Sequence, residues 1–238
     1  EGVKVLDMTE VSPVSVCSRR KCDTMPALSA LTRRCRKQVI AGPMSTMQLA
    51  DMGAIVTKVE KANGKGDNYR ASGTFYRTDD GKVVAASFAT ANRGKRSVVI
   101  DAASDDGRQL ILELAKDADV FVQNMRPGVV EKLGIGYEDM KAVNPAIIYC
   151  SISGFGKTGP YSKKPTYDPL IQATAGLVAV MGRPLSQSKK YTLMNTLVAD
   201  KTTAMTAVQA ILAALYARDA QGKGGQHIDL AMYDVGFA

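Results

Sequence analysis

The sequence is poor in the residues that hydrolytic and metal chemistries most often use. Its 238 residues contain one histidine, His227. A single imidazole cannot make a zinc site, and no Gly-x-Ser-x-Gly elbow offers it a serine nucleophile. His227 follows a glycine-rich turn at the start of a strand pattern, where a surface or packing role is the simpler one. No apolar run approaches the roughly 18 residues of a membrane span. The chain opens on the strand-like VKVLDM, without a signal-peptide pattern. Cysteine is scarce outside one place: Cys17, Cys22 and Cys35 fall within Ser12–Gln38, and only Cys150 lies elsewhere.

The same segment concentrates the charge. Arg19, Arg20, Lys21, Arg33, Arg34, Arg36 and Lys37 stand against Asp23, a net +6 of the chain's formal +8. One reading is a basic arm for nucleic acid or membrane. A second is a partial metal site, but Cys-x4-Cys-x12-Cys lacks a fourth ligand and a nearby histidine. The third is a non-homologous insertion at 12–38, such as a translated intron or a mispredicted gene segment. Deleting it joins VLDMTEV to VIAGPMSTMQLADMGA without a break in pattern, and we adopt this reading. The basic balance is then local and implies neither a nucleic-acid partner nor a membrane surface.

The remainder, 45% hydrophobic and 23% charged over the whole chain, has the composition of a folded globular protein. Compact apolar runs at 3–8, 54–60, 96–102, 119–124 and 146–153 read as strands buried on both faces. Helical patterns lie between them at 43–53, 105–117 and 129–143. A final helix spans about Lys201–Ala217 and leads to one more strand, HIDLAMYD. Strand alternating with helix predicts an α/β fold with a doubly wound, Rossmann-like parallel sheet.

Two glycine-rich stretches invite a nucleotide and fail on context. GIGYED follows a helical pattern rather than a strand. SISGFGKT follows a strand, but Gly159-Pro160 comes where a phosphate-binding helix would have to start. Asp200, in NTLVADKTTAM, is left. As structure it reads as the cap of the last helix. As chemistry, helix N–H donors favour the ionised carboxylate and pull its pKa below about 3.9, which would make a permanent anion able to attack an activated acyl carbon.

Several segments, in order, resemble the class III CoA-transferases, the family of formyl-CoA, carnitine and bile-acid CoA-transferases and α-methylacyl-CoA racemases. They include IAGPMSTMQLADMGAIVTKVEK, NRGKRSVVIDA, ADVFVQNMRPGVVEKLGIGYEDM, YDPLIQATAG, LVADKTTAMTAVQAILAALYARD and GKGGQHIDLAMYD. The resemblance covers the chain except Ser12–Gln38. It implies that Asp200, the aspartate of LVAD, is the catalytic nucleophile, and that no tightly bound cofactor is needed beyond CoA or acyl-CoA as substrate. It places CoA contacts at Ile40, Ala41, Lys61, Ile100, Ala103, Asn124, Met125, Arg126, Lys132 and Tyr167. The racemases carry a histidine where Tyr167 stands, so the resemblance favours transfer to an acceptor carboxylic acid over racemisation. A non-catalytic CoA-binding fragment is a further alternative. The resemblance also implies that 1–238 is the large domain of a longer enzyme with a second, smaller domain. Such an enzyme would be an interlocked homodimer, cytoplasmic, or mitochondrial or peroxisomal in a eukaryote.

Overall fold

The structure, a computed structural model, describes residues 2–10, 40–62, 64–181 and 191–237. The basic segment 12–38, with its three cysteines, lies outside the described residues. Six parallel strands form the main sheet: β1 (Lys4–Met8), β2 (Ile55–Glu60), β5 (Arg96–Val99), β6 (Val120–Gln123), β7 (Ile148–Ser153) and β8 (Gln226–Ala231). Their order is β5-β2-β1-β6-β7-β8. A separate antiparallel hairpin pairs β3 (Phe75–Arg77) with β4 (Val83–Ala85).

The apolar strand runs fold this way because successive side chains leave a strand on opposite faces. Val5, Val120, Val122, Ile148 and Cys150 meet helices α1 (Ala41–Asp51) and α8 (Val198–Gln221) on one side. Leu6, Phe121 and Tyr149 meet α3 (Asp105–Lys116) and α5 (Tyr137–Val143) on the other. Both faces are therefore dry, as a parallel sheet requires. Buried Ala204, Ala207 and Ala214 on the 24-residue α8 keep its inner face narrow, so it packs closely on α1 and the sheet.

The sheet order creates the crevice. From β1 the chain winds outward through β2 to β5, and from β6 it winds the opposite way through β7 to β8. The segments leaving the carboxyl ends of β1 and β6 therefore diverge, the usual place for a ligand in such sheets. Asn124 ties the two ends together: its Oδ1 accepts from the Glu10 backbone N–H at 2.9 Å, and its Nδ2 donates to the Glu10 carbonyl at 2.9 Å.

The elements depart from the sequence reading in four places. The pattern 129–143 breaks into α4 (Val129–Lys132) and α5 around Gly134, whose φ of 66° suits glycine. The run HIDLAMYD stays strand only to Ala231, after which α9 (Met232–Phe237) begins. The last helix is longer than expected and starts at Val198, which places Asp200 inside its first turn; the flanking cap residue is Leu197. The region 61–95 also holds the hairpin, a 3-10 turn (Asn68–Ala71) and α2 (Ala86–Asn92), none of which has a periodic apolar pattern. After β7 no helix starts until α6 (Asp168–Thr174), so SISGFGKT lacks the helix that a phosphate loop needs.

No helix among the described residues is long and apolar enough to cross a membrane. Ile211 of α8 is fully buried in the core that joins that helix to the sheet. Ile211→Ala is expected to cost about 2–5 kcal/mol of unfolding free energy, measured by urea denaturation.

Candidate active site

A cavity of about 620 Å³ opens at the carboxyl ends of β1, β2, β5 and β6. It brings together Lys61, Ile100, Ala103, Asn124, Met125 and Arg126, along with Glu10 and Met8. A smaller one of about 70 Å³ shares Asn124, Met125 and Arg126 and adds Tyr167 and Lys164. Each position follows from an element end. Lys61 directly follows β2, Ile100 follows β5, and Asn124–Arg126 follow β6. Tyr167 sits at the start of α6, where Gly154 lets the chain pass: a Cβ there would lie 1.9 Å from Thr166 Oγ1.

The walls combine charge with apolar surface. The Lys61 ammonium, half-exposed, pairs with the largely buried Glu10 carboxylate. Burial raises the Glu10 pKa, and Lys61 partly offsets that. Met125 donates its backbone N–H to the Gln123 side chain at 2.7 Å, which fixes the turn of the loop. Lys132 stands exposed on α4 and lines neither cavity.

Ile40 and Ala41 stand apart from the cavity walls, beside Asp200. Asp200 is fully buried. Its Oδ1 accepts the backbone N–H of Ile40 at 3.2 Å and of Ala41 at 3.1 Å. Its hydrogen-bond donors thus come from the N-terminus of α1, 160 residues away, and not from its own helix. Its backbone N–H donates to Asp168 Oδ2 at 2.9 Å. Asp168 Oδ1 in turn accepts from Gln172 Nε2, and Gln172 Oε1 accepts from the Met194 N–H at 2.9 Å. The second oxygen of Asp200, Oδ2, is buried with no hydrogen-bond partner among the described residues.

Electrostatics here reverse the expectation from sequence. Asp200 was expected below the ordinary carboxylate range; it is pushed up to about 7. Burial is the largest cause and the Asp168 carboxylate adds to it, while the N–H bonds from Ala41 and Ile40 oppose both. Helix dipoles do favour the anion, but complete desolvation outweighs two hydrogen bonds. Burial also raises Asp168. The Tyr69 phenol, 2% exposed and packed with Ile40, is driven far above its ordinary value by burial and then by Asp200. Its oxygen likewise has no hydrogen-bond partner among the described residues.

Asp200 lies one step behind both cavities. Gly42, next to Ala41, touches a cavity wall: a Cβ there would come within 2.7 Å of Thr9 and 3.2 Å of the Asn124 side chain. Asp168, which binds the Asp200 N–H, directly follows Tyr167 of the smaller cavity. Sequence reasoning missed Asp168 and Tyr69. An aspartate before Pro169 at the start of a helix was the only available signal for Asp168. Among the described residues no cluster of three or more His, Cys, Asp or Glu could hold a metal ion.

His227, the only histidine, is remote from this group. Its ring is 3.0 Å from Ser151 Oγ and stacks on Tyr137.

The folded chain binds a proton at Asp200 up to about pH 7, whereas the unfolded chain releases it near pH 4. Stability from this residue is therefore full below about pH 4 and falls as pH rises to about 7. Asp200→Asn is expected to be more stable than the parent at pH 8 by roughly 2–4 kcal/mol. The difference should vanish near pH 4, as read by urea denaturation at both values.

A model of CoA-transferase family III matches residues 35–238. The chain is 42% identical over 212 residues to the succinate–glutarate CoA-transferase of Agrobacterium fabrum, covering 88% of this chain and 52% of that protein. It is 38% identical over 204 residues to the succinyl-CoA:glutarate CoA-transferase of Mus musculus, covering 85% and 45%. Among solved structures, a CAIB/BAIF family protein from Brucella suis superposes with a TM-score of 0.80 at 34% identity, over 100% of this chain and 54% of that one. The chain spans about half the length of the curated relatives it matches.

Proposed function

Since the chain belongs to CoA-transferase family III, we propose that it moves CoA from an acyl-CoA thioester to an acceptor carboxylic acid, with Asp200 as the nucleophile. The observation that carries the proposal is the asymmetry of that carboxylate. One oxygen is held by two backbone N–H groups, and the other has no partner among the described residues.

In this reading Oδ2 of the ionised carboxylate attacks the thioester carbon. The C–S bond breaks, CoA leaves as thiolate, and an aspartyl acyl anhydride forms. The thiolate then attacks the aspartyl carbon, releasing the donor as its carboxylate and leaving an aspartyl-CoA thioester. The acceptor carboxylate reverses the sequence: it displaces the thiolate to form a second anhydride, and the thiolate takes the acceptor acyl group and frees Asp200. One thioester replaces another, so no nucleotide triphosphate is consumed. Each attack on the aspartyl carbon puts negative charge on Oδ1, where the N–H groups of Ile40 and Ala41 already point. They form an oxyanion hole of the kind that supplies about 2.7–4 kcal/mol per donor elsewhere.

The larger cavity suits the CoA nucleotide. Lys61 and Arg126 supply cations for phosphates, with Lys61 exchanging Glu10 for its ligand, and Ile100, Ala103 and Met125 supply apolar wall. Asn124 acts by holding the wall rather than by offering its amide to ligand. In the smaller cavity Tyr167 is a poor base, because burial raises its phenol further. That argues against α-proton abstraction and racemisation. Full burial of Asp200 requires the segment before α8 to yield when an acyl-CoA arrives, and the enzyme is proposed to work as the interlocked dimer of a longer chain.

Incubation with acyl-CoA and hydroxylamine is expected to leave a hydroxamate at Asp200, located by mass spectrometry. An active protein with unmodified Asp200 would overturn the assignment. Because the attacking form is the anion, kcat/KM should fall about tenfold per pH unit below about 7 and level off above it.

A further inference from the structure

Beneath the first turn of α1 lies a buried polar cluster that the reaction as described does not use. Asp7 on β1 is fully buried and Lys95 nearly so, and they pair at 2.9 Å. The Lys95 ammonium also donates to the Pro43 carbonyl at 2.8 Å and to Asn92 Oδ1 at 2.9 Å. Asp7 Oδ2 accepts from Thr46 Oγ1 at 2.9 Å, and its Oδ1 accepts the Thr9 backbone N–H at 2.8 Å and the Thr9 hydroxyl. Thr9 is the residue against which Gly42 packs. Three of these contacts, through Pro43, Thr46 and Thr9, therefore fix the first two turns of α1 to the central strand of the sheet.

A buried ion pair is a poor device for stability, since replacing it with apolar groups is often neutral or better. Its strength is fixing geometry. What it fixes here is the peptide that aims the Ile40 and Ala41 N–H groups at Asp200 Oδ1. We propose that Lys95, held by Asp7, is a positioning residue for catalysis: it anchors α1 through the Pro43 carbonyl and so keeps the two donors on the Asp200 carboxyl. The proposal rests on the role of Asp200 put forward above.

The chemistry gives a signature that a merely structural role lacks. The two N–H bonds are what lower the Asp200 pKa against burial and Asp168. If α1 slips, the donors are lost, and the carboxyl becomes both harder to ionise and less well stabilised as an oxyanion. The titratable groups facing Asp200 are Asp168 and Tyr69, and those facing Lys95 are Asp7, Lys58 and Asp67. A change at position 95 removes a partner of Asp7 and leaves the side chains of Asp168 and Tyr69 in place.

Lys95→Met in the full-length enzyme is expected to lower kcat at least about tenfold and to change KM for the acyl-CoA less than about threefold. It should also move the acid limb of kcat/KM up by about one pH unit. Lys95→Arg, which keeps a cation, is expected to return the limb most of the way to the parental position. If Lys95→Met does not fold, the charge-balanced Asp7→Asn/Lys95→Met pair is measured instead, with the same outcomes expected. The Asp200 carboxyl is also titrated directly by 13C NMR, with its resonance assigned through Asp200→Asn. That midpoint should rise in the same variants whether or not Asp200 is the nucleophile. A folded variant with parental kcat, acid limb and Asp200 midpoint would overturn the proposal. Failure to trap a hydroxamate at Asp200 in the parent would instead count against the nucleophile alone.

Discussion

Two backbone N–H groups from the start of one helix, meeting a desolvated carboxylate in the first turn of another, are the contact on which this site depends. Ile40 and Ala41 donate to one oxygen of Asp200, and among the described residues nothing donates to the other. Desolvation and the neighbouring Asp168 carboxylate oppose the charge, and the two donors restrain it. The balance puts the carboxyl near neutrality, where an anion forms readily and is poorly solvated once formed. Such an anion is a stronger nucleophile than the permanently ionised, well-capped aspartate that its place in the sequence suggests.

The sheet determines where that contact can act. Reversal of the strand order between β1 and β6 opens the crevice, and the Asn124–Glu10 hydrogen bonds keep its two lips in register. Helix α1 starts at this crevice with Gly42 against Thr9 and Asn124. One short stretch of backbone therefore faces the cavity wall on one side and Asp200 on the other. The site divides into an open end that carries Lys61 and Arg126 and a closed end that carries the buried Asp200 carboxyl.

Much of this was legible in the chain. The apolar runs at 3–8, 54–60 and 146–153 hold strands because most of their residues are buried on one face or the other, a pattern independent of distant partners. The residues Lys61, Ile100 and Asn124–Arg126 gather because they follow strand ends, and the end of a strand shows in sequence. The state of Asp200 did not show, since its donors come from residues 40 and 41 and its buried neighbour from residue 168. A local reading sees the helix that favours the anion and misses the packing that disfavours it. The β3–β4 hairpin escaped for a different reason: strands of three residues, one of them wholly exposed, are too short to show an alternation.

The most direct test of the account is a crystal structure of the full-length enzyme with bound CoA. The account predicts the nucleotide along the Lys61–Arg126 cavity and the thiol sulfur within van der Waals contact of the Asp200 carboxyl, with Oδ1 still bonded to the Ile40 and Ala41 N–H groups. A sulfur seated on another face of the sheet, with Asp200 still sealed behind α1, would contradict it.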